Sequence, residues 1–211
     1  MSTASRLQTP AVVVVAGGFL AGAIAYPRLP GPFLDVAPTA RALVAFTLPV
    51  AALVVYLLFR SLWTHDRVRS GNGAFESAYQ GIVLQALLFM VALHALVMIE
   101  LTGGVDAMGV RVPGGRIVVV LLGVILVGVG NLLPRTRPNV AVGVRTARTL
   151  ASARLWQQVH RAGGYATVAL GIAVVLIGIV SARDAVGPLV SAAAFAAAAA
   201  VFASYLKHAR A

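Results

Sequence analysis

Cysteine is absent from all 211 residues, so disulfide staples, thiolate metal sites and a cysteine nucleophile are all excluded. Acidic residues number only six, and no two are adjacent. That scarcity argues against the paired-aspartate chemistry of Mg²⁺-dependent phosphatidyl transfer. The four histidines, His65, His94, His160 and His208, stand on separate segments with no H-x-x-x-H spacing, so a metal centre is not expected. No serine elbow and no phosphate-cradling glycine loop is present either. These absences lead to the expectation of a protein that is not an enzyme, with no catalytic residues, no metal and no cofactor.

Charge is thin overall. Only 11% of the residues are charged, against about a quarter in ordinary soluble domains, while 60% are hydrophobic. The apolar residues gather into six runs at about 10–26, 42–63, 78–101, 117–133, 165–182 and 185–206. Several reach the roughly 20 residues that cross a ~30 Å hydrocarbon core. A bilayer forces each run to be helical, because only a helix satisfies its own backbone within one lipid-facing segment. The expected fold class is an all-α integral membrane protein, a bundle of six transmembrane helices in the cell membrane.

The net charge of +11 raises the question of nucleic acid. Its basic residues, however, sit between apolar runs and not along a polar face with interleaved aromatics, so no direct nucleic acid binding is expected. Orientation explains them better. With the N-terminus inside, twelve basic residues fall on the cytoplasmic side and five outside, which predicts both termini in the cytoplasm. The chain then divides into a helix pair at 1–63, a second pair at 64–134, an arginine-rich cytoplasmic loop at 135–164 and a third pair at 165–211.

Individual residues refine this picture. Arg6 before an apolar core and Ala23-Ile24-Ala25 resemble a cleavable signal, but Gly18 and Gly22, spaced as small-xxx-small, favour a retained helix packed on a neighbour. Pro49 predicts a kink in the second run. The alanine-rich sixth run offers little side-chain area to lipid and is expected inside the bundle. No inverted repeat is visible. His94, two-thirds along the third run with Gln80, Leu87, Val91 and Met98 on a similar face, is an intramembrane polar candidate, although a histidine bonded between helices is the commoner case. Glu100, Asp106 and Asp35 read as a solvated edge.

The loop carries six arginines and no acid. Anchoring to anionic lipid, at about 1 kcal/mol per basic residue, accounts for that charge. It does not account for Asn131, Pro134, Pro138, Asn139, Gly143, Thr146, Thr149 or the Trp156/His160 pair. Prolines fix φ and Gly143 permits a positive φ, so a defined loop structure is expected. Leu155, Trp156 and Val159 form a short apolar stripe, with Trp156 suited to the headgroup boundary, and Gly163-Gly164 should end that helix before the fifth run.

The string G-N-x-x-P-R-x-R-P-N-x-x-x-G-x-R-T-x-x-T-L from Gly130, followed by W-x-x-x-H-R-x-G-G to Gly164, resembles the signature loop of SdpI-type membrane immunity proteins. Gly104-Val105-Asp106 and His94 are also similar to family positions. Ala147 and Arg148 stand where the family has a Pro-Trp pair. Ala151, Ser152, Ala153 and Arg154 replace a serine and acids that would give a good N-cap and first turn. The outer segment Leu29-Pro30-Gly31-Pro32-Phe33 keeps only the family's Leu-Pro. The resemblance implies protection of the producing cell from a secreted membrane-active peptide toxin, or sequestration of a cytoplasmic transcriptional repressor at the membrane. It also implies that Arg135, Arg137, Asn139, Arg145, Thr146, Trp156, His160 and Arg161 belong to the working surface, with membrane lipids as further partners. The alternative is a small membrane transporter or peptide exporter. That would need polar groups converging at the bilayer midplane, where His94 and Gln85 are almost alone. A lipid-modifying enzyme would need an acidic or nucleophilic cluster that the loop lacks.

Overall fold

A computed structural model describes residues 3–29, 38–70, 76–103, 114–182 and 184–209. Among them every regular element is helical: α1 (Thr3–Ala25), a 3₁₀ turn (Tyr26–Arg28), α2 (Pro38–Ser70), α3 (Glu76–Leu101), α4 (Gly114–Leu132), a 3₁₀ turn (Leu133–Arg135), α5 (Ala147–Ala151), α6 (Ala153–Val180) and α7 (Val186–Ala209). All but α5 are long and apolar enough to cross a membrane, over Thr9–Arg28, Ala40–His65, Ser77–Leu101, Gly115–Arg135, Ala153–Val180 and Val186–Ala209. The described residues are therefore all-helical, with six membrane-length helices among them. Helix α4, rich in valine and isoleucine, shows β propensity giving way to the need for internal backbone bonding. Gly104 to Asp106, Asp35 and Pro30 to Phe33 lie outside the described residues.

Two compact units are present, residues 1–58 with 86–115, and residues 59–85 with 116–211. In the first, α1 meets α2 and α3 through the expected glycine pair. A Cβ at Gly18 would lie 3.2 Å from Val91 Cγ2 and 3.7 Å from Pro49. Pro49 has no N–H, so the carbonyl of Ala45, four residues back, loses its helical donor. That carbonyl points at Gly22 so closely that no Cβ would fit there. A weak Cα–H contact from glycine thus meets the oxygen that proline frees. Phe46 stacks on Phe19 and Tyr26 beside this contact, each at 6.3 Å between ring centroids. Ala25, Leu29, Ala45 and Met98 form the adjoining core.

The second unit is held by glycines facing glycines on antiparallel α4 and α6. A Cβ at Gly123 would sit 2.7 Å from the Gly171 carbonyl oxygen, and one at Gly171 2.6 Å from that of Gly123. The same reciprocity recurs one heptad along, with 2.9 Å and 2.7 Å for Gly130 and Gly164. Backbones touch at two levels, the close approach that small residues permit in lipid. At the far end Arg116 donates to the carbonyls of Ile179 (3.2 Å) and Ser181 (3.0 Å), closing the C-terminus of α6. Tyr79 donates to the Phe59 carbonyl at 2.6 Å and packs on Trp63, with ring centroids 5.3 Å apart.

Two expectations are corrected here. Gly163-Gly164 does not end a helix: α6 runs unbroken from Ala153 to Val180, and Gly164 serves the contact with Gly130 and Pro134 instead. Helix α7 is not interior either. None of its residues is buried, and Phe195 is 78% exposed. Its small side chains let one face, with Val201, lie along α6 at Gly163, while the opposite face is left outward.

Candidate functional site

The connection from α4 to α6 folds around its own side chains. Pro134 sets a 3₁₀ turn, after which Thr136 donates to the Leu133 carbonyl from both its amide (3.1 Å) and its hydroxyl (2.7 Å). Trp156 is fully buried and donates from Nε1 to Thr136 Oγ1 at 3.2 Å. Asn139, 2% exposed, makes four bonds: Nδ2 to the carbonyls of Arg137 (2.7 Å) and Val142 (3.2 Å), and Oδ1 from the amides of Ala141 (2.9 Å) and Val142 (2.7 Å). A side chain mimicking backbone in this way fixes the turn.

Gly143 then takes φ of +111°, and His160 packs so closely against it that any Cβ would collide with the imidazole. The ring bonds at both nitrogens. Nε2 accepts the Val144 amide at 2.9 Å, so the proton resides on Nδ1, which faces the Trp156 carbonyl at 2.8 Å. Trp156 and His160 stack with centroids 3.8 Å apart and planes at 13°. Thr146 caps α5 reciprocally with Thr149, and the buried Thr149 hydroxyl reaches the Val144 carbonyl at 2.8 Å. Ser152 caps α6 by accepting from the Leu155 amide at 3.2 Å. The N-cap is thus supplied by Ser152, although no acid occupies the first turn.

The predicted loop residues therefore divide by role. Asn139, Gly143, Thr146, Thr149, Trp156 and His160 are consumed in holding the loop, and Pro134 is wedged against Gly164. Trp156 is a buried anchor and not a residue of the headgroup boundary, because stacking and its bond to Thr136 draw it inward. Arg135, Arg145, Arg148, Arg154, Arg161 and Asn131 are exposed, while Arg137 and Pro138 are half-buried. Arg145 donates back to the Val140 carbonyl, and Arg148 reaches the Ala209 carbonyl at 2.9 Å. No acid occurs in the sequence from 135 to 164, so the exposed guanidinium groups of Arg135, Arg145 and Arg161 make the loop's own charge positive.

Residues 135–206 match the model of the SdpI/YfhL protein family. The SdpI/YfhL match opens at Arg135, takes in the loop and α6, and ends within α7. No curated protein and no solved structure matches the chain.

His94 belongs to the other unit. It is 1% exposed, with a backbone group of Gly18 against it and no hydrogen bond of ordinary geometry at either nitrogen. Sequence reasoning missed Thr136, which joins Trp156 to the Leu133 carbonyl; nothing in its type or spacing distinguishes it from a solvated threonine. It also missed the pairs Gly123/Gly171 and Gly130/Gly164, whose seven-residue spacing on each helix was readable.

Proposed function

We propose that this is a non-enzymatic, multi-pass protein of the cell membrane that confers SdpI-type immunity against a secreted membrane-active peptide. Its arginine-bearing loop at 135–164 lies at the cytoplasmic face and engages anionic lipid headgroups or a cytoplasmic repressor. The observation that carries this reading is the division of labour in the loop. Buried Trp156, His160, Asn139 and Thr149 spend their hydrogen bonds on holding the turn, while Arg135, Arg145 and Arg161 face outward from it. A loop serving only as a charge anchor has no use for such a scaffold, whereas a surface that recognises planar acidic groups needs its arginines in fixed positions. The basic bias of the segment supports the cytoplasmic placement.

The test is survival of a toxin-sensitive bacterial host expressing the chain, challenged with a membrane-active peptide encoded beside its gene. Protection by the intact chain is expected. Absence of protection against any such peptide removes the immunity reading. His94 favours a second reading, a small transporter or peptide exporter, because a buried imidazole lacking ordinary hydrogen bonds is where a polar cargo or proton would be handled. Under that reading His94→Leu abolishes the activity while the loop arginines are dispensable.

A further inference from the structure

A cavity of about 270 Å³ opens where the first turns of α6 meet the last turn of α7, lined by Ser152, Arg154, Leu155, Gln158, His208 and Ala209. Of the loop segment described above, Ser152 and Arg154 line it, whereas Arg135, Arg145 and Arg161 do not. The polar groups around it are donors for the most part, and no carboxylate is among them. Arg154 is exposed, and its guanidinium makes no hydrogen bond with another described residue. The Ser152 hydroxyl accepts from the Leu155 amide, which leaves its own proton to donate. His208 donates Nδ1–H to the Ser204 carbonyl at 2.7 Å, and its Nε2 offers a second proton to an anion in the imidazolium form. Gln158 contributes an amide.

The two helix ends bear on this cavity with opposite sign. Helix α6, 28 residues long, brings its positive N-terminal end. Helix α7 brings a negative C-terminal end, but the Ala209 carbonyl is bonded by Arg148 at 2.9 Å, and that guanidinium offsets it. The balance is positive. We propose that this cavity is a binding site for a phosphate group, with Arg154 as its principal contact and Ser152, Gln158 and His208 completing it. The phosphate has two possible sources, an anionic lipid headgroup or a free phosphate. This inference deepens the headgroup-binding part of the proposed function, since Ser152, Arg154 and Gln158 lie within 135–164, and it is separable from immunity, because a chain that fails to protect cells would still bind phosphate here.

The test uses the purified full-length chain in a neutral detergent, offered phosphatidylglycerol, diacylglycerol or inorganic phosphate, with retained lipid read by native mass spectrometry. Phosphatidylglycerol should be retained over diacylglycerol, which has no phosphate. Arg154→Gln combined with His208→Gln should lower that retention by about tenfold or more, as expected for loss of a charge-assisted hydrogen bond. Gln158→Glu, a change on a half-exposed helix position, should lower it in the same direction by placing a carboxylate in the lining. Displacement of phosphatidylglycerol by inorganic phosphate identifies a site open to the free ion; lack of displacement identifies the bilayer as the source. Equal retention of the two lipids, or undiminished phosphatidylglycerol retention in both variants, overturns the proposal.

Discussion

Replacing Trp156 tests whether the loop is a folded unit. The indole is fully buried, donates to Thr136 Oγ1 at 3.2 Å and stacks on His160 at 3.8 Å. Trp156→Phe removes the hydrogen bond, worth about 1 kcal/mol, and leaves a small void costing about 1 kcal/mol more. Thr136 is not orphaned by that change, because its hydroxyl still donates to the Leu133 carbonyl. A loss of about 2 kcal/mol is expected. Trp156→Ala should cost about 3–5 kcal/mol, because His160 loses its stacking partner and with it the support for the Val144 amide. The assay is denaturant unfolding of the purified protein in detergent. Since Trp63 is the other of two tryptophans, a Trp63→Phe background makes Trp156 the sole fluorophore. Its emission should be that of a buried indole and resist aqueous quenchers. An exposed-type emission, or a cost below about 1 kcal/mol for Trp156→Ala, would refute the folded loop.

Other predictions follow from the same contacts. Gly171→Leu should prevent α4 and α6 from pairing and abolish the folded protein in detergent chromatography, while Gly17→Ala, whose Cβ meets nothing within 4 Å, should be neutral. Asn139→Ala loses four hydrogen bonds and should cost about 2–4 kcal/mol in unfolding, whereas Arg145→Lys at an exposed position should cost less than about 0.5 kcal/mol. Because native cysteine is absent, cysteines placed singly at Arg28, Asp106 and Arg183 should label from outside intact cells, and those at Ser70 and Leu150 should not. Leu150 is 41% exposed and suits the experiment better than its buried neighbour Thr149.

Much of this was legible in the sequence because lipid simplifies the code. Apolar length alone located six helices to within a few residues at most ends. The small-xxx-small spacing of Gly18 and Gly22 translated directly into contacts with Pro49 and Ala45. Gly143 was readable because a turn rich in proline and asparagine demands a residue tolerant of positive φ, and φ is +111°. Helix ends were harder. Two glycines at 163–164 signal a stop, yet Gly164 is used for close packing on Gly130 and Pro134, so α6 passes through them. Composition misled for α7, since small side chains describe a face that can pack without saying that both faces do. Nor could the inward turn of Trp156 be read, because it depends on Thr136, twenty residues earlier, arriving beneath the indole.

The central claim is that buried residues hold exposed arginines as a working surface. Protection of a toxin-challenged host should be compared between the intact chain and Arg135→Gln/Arg145→Gln/Arg161→Gln, at matched membrane levels and matched unfolding free energy. The account predicts that the triple variant folds like the parent and loses protection. A triple variant that protects as well as the intact chain would contradict it.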